Sequence, residues 1–366
     1  MRRYPLLTLP LAAVLACAET TAPLPPPQEL LLVVNSGEPS LSLIRIRPEG
    51  SPLRLQIPVS GATPSRVATR GTIALVPLGA TDGLAVFDLA QPRLERVIPL
   101  ATGSAPFDAV LIGDSVAYVS NPPLNTITRI DLRTNDTASV LVGRWPTGIL
   151  AARGRLFVLN ANLALCDAPV SGTCSAGESW ITVVDPFTNS RSTGRDSIPL
   201  PGPGNAISGT VGGDGFLYIL NAGATLDGEI PDGRLSIVDP IRRSELGSFG
   251  GFGQLPAWVT SDGGERVFIG SPSEGLMEFN ARTRSVVRGV GQGLPVVDNA
   301  AVVVDRSGLV YAIESGSCAG GGAPGRVRIY RANLTEVRVI ALGTCATGSA
   351  LALVPVEGGE LPPAFP

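Results

Sequence analysis

The 366-residue chain contains no histidine, and every one of its 28 basic residues is an arginine. Catalysis that needs an imidazole or a primary amine is therefore closed to it. Ser-His-Asp and Cys-His nucleophiles, His-ligated zinc, HExxH peptidase chemistry, lysine Schiff bases and the P-loop lysine all lack their key residue. Chemistry must come from carboxylates, tyrosines, arginines, serines and five cysteines. One acidic stretch, "TLDGEIPDG", brings Asp227, Glu229 and Asp232 together. Oxygen ligands of this kind suit calcium, but the spacing does not follow the EF-hand loop, and a solvated acidic loop is the plainer reading. Apart from calcium at these three residues, no cofactor is expected.

Composition limits the partners as well. The formal net charge is −3, so no overall basic excess draws the chain to nucleic acid or anionic lipid. Hydrophobic residues make up 44% and charged ones 16%, with 44 Gly and 33 Pro. Such a mixture suits many short buried strands joined by tight turns and argues against disorder or long helices.

The N-terminus reads as an address. Arg2 and Arg3 precede the apolar run "PLLTLPLAAVLA", which stops at Cys17 and is shorter than the ~20 residues needed to span a bilayer. It has the form of a secretory signal, residues 1–16. The tetrapeptide "VLAC" resembles a bacterial lipobox, which implies cleavage after Ala16 and a lipidated Cys17. Ala18 in place of an inner-membrane-retaining Asp implies the outer membrane, on its periplasmic or surface face. "AETTAPLPPPQ" then serves as a tether (domain boundaries 17–29), because consecutive prolines favour extended polyproline II. Lipid is the expected membrane contact, through the anchor only.

With Cys17 assigned to lipid, Cys166, Cys174, Cys318 and Cys345 remain, an even number for an oxidising compartment. Four cysteines allow three pairings; Cys166–Cys174 closes a short local loop, which leaves Cys318–Cys345. The CxxC spacing of a structural zinc site is missing.

The elements that must position these residues follow from a repeat. "LSLIRI", "LAVFDL", "ITRIDL", "ITVVDP", "LSIVDP", "LMEFNA" and "VRIYRA" place Arg45, Asp88, Asp131, Asp185, Asp239, Asn280 and Arg331 in register, at spacings of 43, 43, 54, 54, 41 and 51. Each is preceded by a second strand such as "AYVSN" or "LYILN", before that by a Pro-led one such as "PTGILAA", and followed by a fourth such as "SVLVGR". Repeats of about 40–45 residues built from four short strands, A to D, are the signature of propeller blades. The strand C aspartates are read as structural, accepting backbone hydrogen bonds in the turn that follows. The same local role is expected of Asn35, Asn121, Asn160 and Asn221 at the end of strand B.

"YVSNPPLNTITRIDLRT" resembles the YVTN β-propeller repeat, and the likeness extends over nearly all of residues 30–357. It implies an all-β fold, a seven-bladed propeller of four-stranded antiparallel blades. The chain begins with a strand B and ends with "SALALVPVE", a spare strand A, so the C-terminal strand should close blade 1 and remove an open edge. Residues 358–366 are a tail.

The three longer repeats owe their length to insertions between strands B and C: 161–179 in blade 4, 222–233 in blade 5 and 315–325 in blade 7. B–C and D–A connections share one face of a propeller, so these loops should gather at one mouth, where scaffold-borne loops bind. Repeat alignment puts Arg66, Asp108, Asn205, Trp258 and Asp298 at the channel rim on that face, a set that could form a polar ligand pocket or serve blade packing. The expected function is a monomeric, lipid-anchored binding scaffold of the envelope, taking a protein, peptide or glycan on the B–C face. The alternative is a metal-dependent hydrolase resembling propeller lactonases, with channel carboxylates as ligands.

Overall fold

A computed structural model describes residues 27–165, 173–202, 204–224, 230–319 and 322–355. The signal segment, Cys17, most of the tether and the tail lie outside them. What is described is all-β: seven antiparallel sheets in a ring, each joined in the order A, B, C, D. In blade 3 these strands are Ala109–Ile112, Val116–Asn121, Thr126–Asp131 and Thr137–Leu141. Each strand A touches the next around the whole circle, and the circle closes. Blade 4 departs slightly, because its strand C, Ser179–Asp185, pairs with two short outer segments, Ser190–Arg191 and Ser197–Leu200.

Strand periodicity explains why no blade could stand alone. In strand B of blade 1, Gln28–Asn35, Leu30, Leu32 and Val34 face blade 2, whereas Leu31 and Val33 face blade 7. Alternate residues of a strand point to opposite sides, so a blade with two neighbours needs apolar residues at nearly every position. Each of the seven large clusters of buried residues lies between two adjacent blades. Burying one Leu, Val or Phe side chain contributes ~1.5–3 kcal/mol, and Phe87, Phe157, Phe268 and Phe279 are all fully buried in these seams.

The ring closes as the repeat implies. Ala346–Val354 lies antiparallel to Gln28–Asn35, from the Gln28–Val354 pair to the Asn35–Ala346 pair. All the strands of the seven blades lie between Gln28 and Val354, so this segment carries its own core and can fold without what precedes it. Both ends of the ring emerge on the face of the A–B and C–D turns, opposite the insertions.

The strand C aspartates behave as expected. Asp88, Asp131, Asp185 and Asp239 each accept the amide two residues on, from Ala90, Arg133, Phe187 and Ile241. The strand B asparagines are structural too, but with other partners. Asn121 Nδ2 donates to Thr126 and Thr128 Oγ1, Asn35 Nδ2 to Ser40 and Ser42 Oγ, and Asn221 Nδ2 to Ser236 Oγ. These residues are buried, so the amides pair across the sheet with strand C hydroxyls rather than with the turn.

Candidate functional site

The approach to each strand A sets the channel geometry. Ala105, Trp145, Asn205, Leu255, Asp298 and Cys345 all turn the corner from strand D with positive φ, between 38° and 74°. Three residues later stand Asp108, Gly148, Ser208, Trp258, Ala301 and Gly348, and in blade 2 the matching position is Arg66. In blades 5, 7 and 1 a bulge between corner and strand fixes this level, for the ladder skips Ile207, Ala300 and Thr347.

The structure therefore brings three of the five expected rim residues to one level and leaves two elsewhere. Arg66 crosses the channel. Its guanidinium carbon lies 4.0 Å from the Trp258 ring centre and 5.2 Å from that of Phe107, and Nη2 donates to the Ile207 carbonyl at 3.3 Å. Arg66 is 8% exposed. Burial lowers its pKa to about 10, against the opposing pull of the Asp108 carboxylate. Burial likewise raises the Asp108 carboxyl, countered by Arg66 and by the amides of Ile149 and Ala109, which donate to it at 3.1 and 2.9 Å. For both members desolvation outweighs their attraction. Gly348 makes room, since a Cβ there would come 2.3 Å from the Ser65 carbonyl oxygen. The result is a cationic bar, stacked on aromatic faces, at the B–C end of the channel.

Asn205 and Asp298 occupy corners, not the channel level. Asn205 holds the blade 4 and blade 5 insertions together: its amide donates to the Ala161 carbonyl, its Nδ2 to the Gly223 carbonyl, and its carbonyl accepts from Ala222. Asp298 is exposed, and its carbonyl anchors the blade 7 insertion by accepting the Ser315 amide. The signal for this offset was the Pro-X-X frame in "TPSR", "APFD", "WPTG" and "LPAW", which counts to Arg66, Asp108, Gly148 and Trp258. Ser208 is the channel-level residue that alignment missed; its Oγ accepts the Val259 amide.

Beside the channel mouth the described parts of the insertions form a wall. The blade 4 insertion begins as a hairpin, Leu163–Leu165 against Thr173–Ser175. Ala161, Leu163 and Ala224, from two insertions, pack with Trp145, whose amide is held by Asn125 Oδ1 of the blade 3 B–C turn. In blade 7, Cys318 is bonded to Cys345, 27 residues away, which ties that insertion to the corner entering blade 1. Cys174 is also disulfide-bonded, while Cys166, its expected partner, lies outside the described residues. Asp227 and Glu229 lie outside them as well, and Asp232 is exposed.

Among the described residues, no group of three or more carboxylates and cysteines is arranged to hold a metal ion. Of the channel-level side chains only Asp108 is a carboxylate, and its two oxygens already accept the amides of Ala109 and Ile149. A cavity lies at the other mouth. About 710 Å³ lies between the A–B turns of blades 4 to 7, lined by Arg153, Asp214, Asp262, Asp305 and Arg306 among others. Its carboxylates serve the fold. Asp214 accepts from the Tyr218 hydroxyl and Asp262 from the amides of its own turn. Burial acts to raise the Asp305 carboxyl, but Ser307, Leu309 and Tyr311 donate to it and hold it below the usual range, beside Arg47 at 2.6 Å. The sequence drew no attention to this mouth, because its turns are short and regular.

No family model and no curated protein matches the chain. Solved structures do resemble it. Hydrazine synthase of Kuenenia stuttgartiensis superposes with a TM-score of 0.60 at 12% identity, over 88% of this chain and 100% of the other. A functionally unknown protein from Desulfotomaculum acetoxidans gives 0.63 at 13% identity, over 89% and 99%. At these identities the likeness is one of fold: this chain is a seven-bladed β-propeller.

Proposed function

We propose that the protein is an extracytoplasmic binding scaffold, held to the envelope by a lipid on Cys17, that presents its B–C face to a protein, peptide or glycan. Reading the blades as YVTN-type repeats belongs to the same proposal. The observation that carries it is the insertion wall. The three longest repeats take their extra length in B–C loops, two of the insertions share one apolar cluster with Trp145, and the third is fixed by the Cys318–Cys345 disulfide. Loops held this way lose little entropy on docking. Beneath them Arg66, stacked on Trp258 and Phe107, lies in the channel mouth.

A photo-crosslinking amino acid placed at Asp232 or Asp298, both exposed on the B–C face, should give discrete adducts in intact cells. Arg133 and Arg282 on the opposite face should give no macromolecular adduct of comparable yield. Adducts arising only from Arg133 or Arg282 would contradict the assignment of the binding face.

A further inference from the structure

The turns after strand C end in equivalent positions, two residues past the capping Asp, Asn or its counterpart: Arg47, Ala90, Arg133, Phe187, Ile241, Arg282 and Asn333 around the ring. Five of the seven are small, polar or charged. Blades 4 and 5, which are neighbours, break the pattern. Phe187 is 86% exposed and Ile241 72% exposed, the two largest exposures among big apolar side chains. Each amide is already tied to its capping aspartate, so the side chains are projected outward by a rigid turn. An apolar side chain is not needed by the turn, since Arg133 and Ala90 make the same capping bond.

The same two blades carry cations on this face. Arg243, in the Ile241 turn, and Arg195, in the blade 4 stretch between Ser190–Arg191 and Ser197–Leu200, hold each other, Arg243 Nη1 donating to the Arg195 carbonyl at 2.6 Å and Arg195 Nη1 to the Arg243 carbonyl at 3.4 Å. Neither guanidinium meets a carboxylate among the described residues, and Arg153, at the cavity mouth in blade 4, is exposed and likewise unpaired among them. The net charge of −3 belongs to the whole chain; in these turns Asp185, Asp196 and Asp239 are each paired with a further arginine, Arg155, Arg191 and Arg242, which leaves Arg153, Arg195 and Arg243 as surplus cations. Aromatic and aliphatic tips flanked by arginines match a phospholipid interface, where tips enter the acyl boundary and guanidinium groups meet phosphates.

The route of the chain supplies the orientation. Gln28, the first residue of the ring, lies at the end of strand B that pairs with Val354, on the same face as Phe187 and Ile241. Ten residues lie between Cys17 and Gln28, and the eleven steps from one to the other give a reach of roughly 34 Å in polyproline II. We infer that the A–B and C–D face of blades 4 and 5 is a membrane-docking surface, with Phe187 and Ile241 inserted and Arg153, Arg195 and Arg243 on lipid phosphates. The orientation rests on the anchor proposed for Cys17, and it turns the insertion wall away from the bilayer.

The test is flotation of the unlipidated chain from Ala18 onward with vesicles of phosphatidylethanolamine and phosphatidylglycerol. The chain should float with the vesicles, less so at high salt. Phe187→Ser/Ile241→Ser should lower partitioning about tenfold or more, and Arg153→Gln/Arg195→Gln about fivefold or more, with unchanged melting curves. No flotation, or equal flotation by the Phe187→Ser/Ile241→Ser variant, would overturn the inference. So would capture by soluble polyglutamate without vesicle binding, which would point to an acidic polypeptide. Intact mass of the membrane-extracted protein separates this from the anchor. Acylated Cys17 without vesicle binding ends the docking face alone; unmodified Cys17 with vesicle binding ends the anchor alone.

Discussion

A chain ended after Cys345 should show no cooperative unfolding transition, whereas one ended after Pro355 should melt like the full protein. The shorter chain keeps the Cys318–Cys345 disulfide but loses Ala346–Val354, the innermost strand of blade 1. Seven of the eight residues of Gln28–Asn35 are buried with that strand in place, so its loss opens the inner edge of blade 1 and strips the ladder from Gln28 to Asn35 of its partner. Each group left poorly paired costs ~1–3 kcal/mol, and several together are comparable with the ~5–15 kcal/mol that stabilises a typical domain. Apolar contacts fall away on both sides too, because Ala352 and Val354 pack towards blade 2 and Ala346 towards blade 7. A shorter chain that unfolds cooperatively within a few degrees of the full protein, followed by circular dichroism, would show that ring closure does not depend on this strand.

The second large effect is expected at Arg66. Arg66→Ala should lower stability by ~1–3 kcal/mol, because a buried guanidinium stacked on two rings is lost and the buried Asp108 carboxylate loses the favourable charge of a nearby cation. Asp108 would keep its two amide donors but lose the only cation near it, and Trp258 and Phe107 would lose the guanidinium between them. Replacing both charges, in Arg66→Met/Asp108→Asn, should cost far less, because desolvation penalises each member of the native pair. The pH dependence has a definite sign. A carboxyl whose folded pKa is raised above its unfolded one destabilises the protein above the folded value, and that penalty disappears as pH falls through it. The deficit of Arg66→Ala should therefore be largest near neutrality and shrink on acidification towards the ordinary carboxylate range. Urea midpoints for the two variants across that range check both statements. A neutral Arg66→Ala, or a deficit that grows with acid, would mean that the guanidinium does not hold Asp108 in the channel.

The propeller was readable because its physics is local and repeated. A seven-fold recurrence of four short apolar strands leaves few other architectures, and the unpaired strands at the two ends imply their own pairing. The capping aspartates were legible for the same reason, since an Asp before a turn has few other partners. The asparagines of strand B were not, because their hydroxyl partners sit one strand away and burial selects them. Among the rim residues, alignment placed Arg66, Asp108 and Trp258 at one level, yet it moved Asn205 and Asp298 three residues up to the corner. Blades 5, 7 and 1 lack the proline that marks the frame, and a bulge hides one residue of the count. The exposure of Phe187 and Ile241 could not be seen in a strand pattern where apolar residues are nearly always buried.

The central claim is that partners meet the insertion wall, and it is tested by affinity capture from the native envelope with two forms of the domain. One carries residues 28–366 intact; in the other the B–C insertions of blades 4, 5 and 7 are shortened to turns. The account predicts a partner retained by the intact domain and lost by the trimmed one, with both forms equally stable to heat. Equal capture by the two forms, or capture by neither, would contradict it.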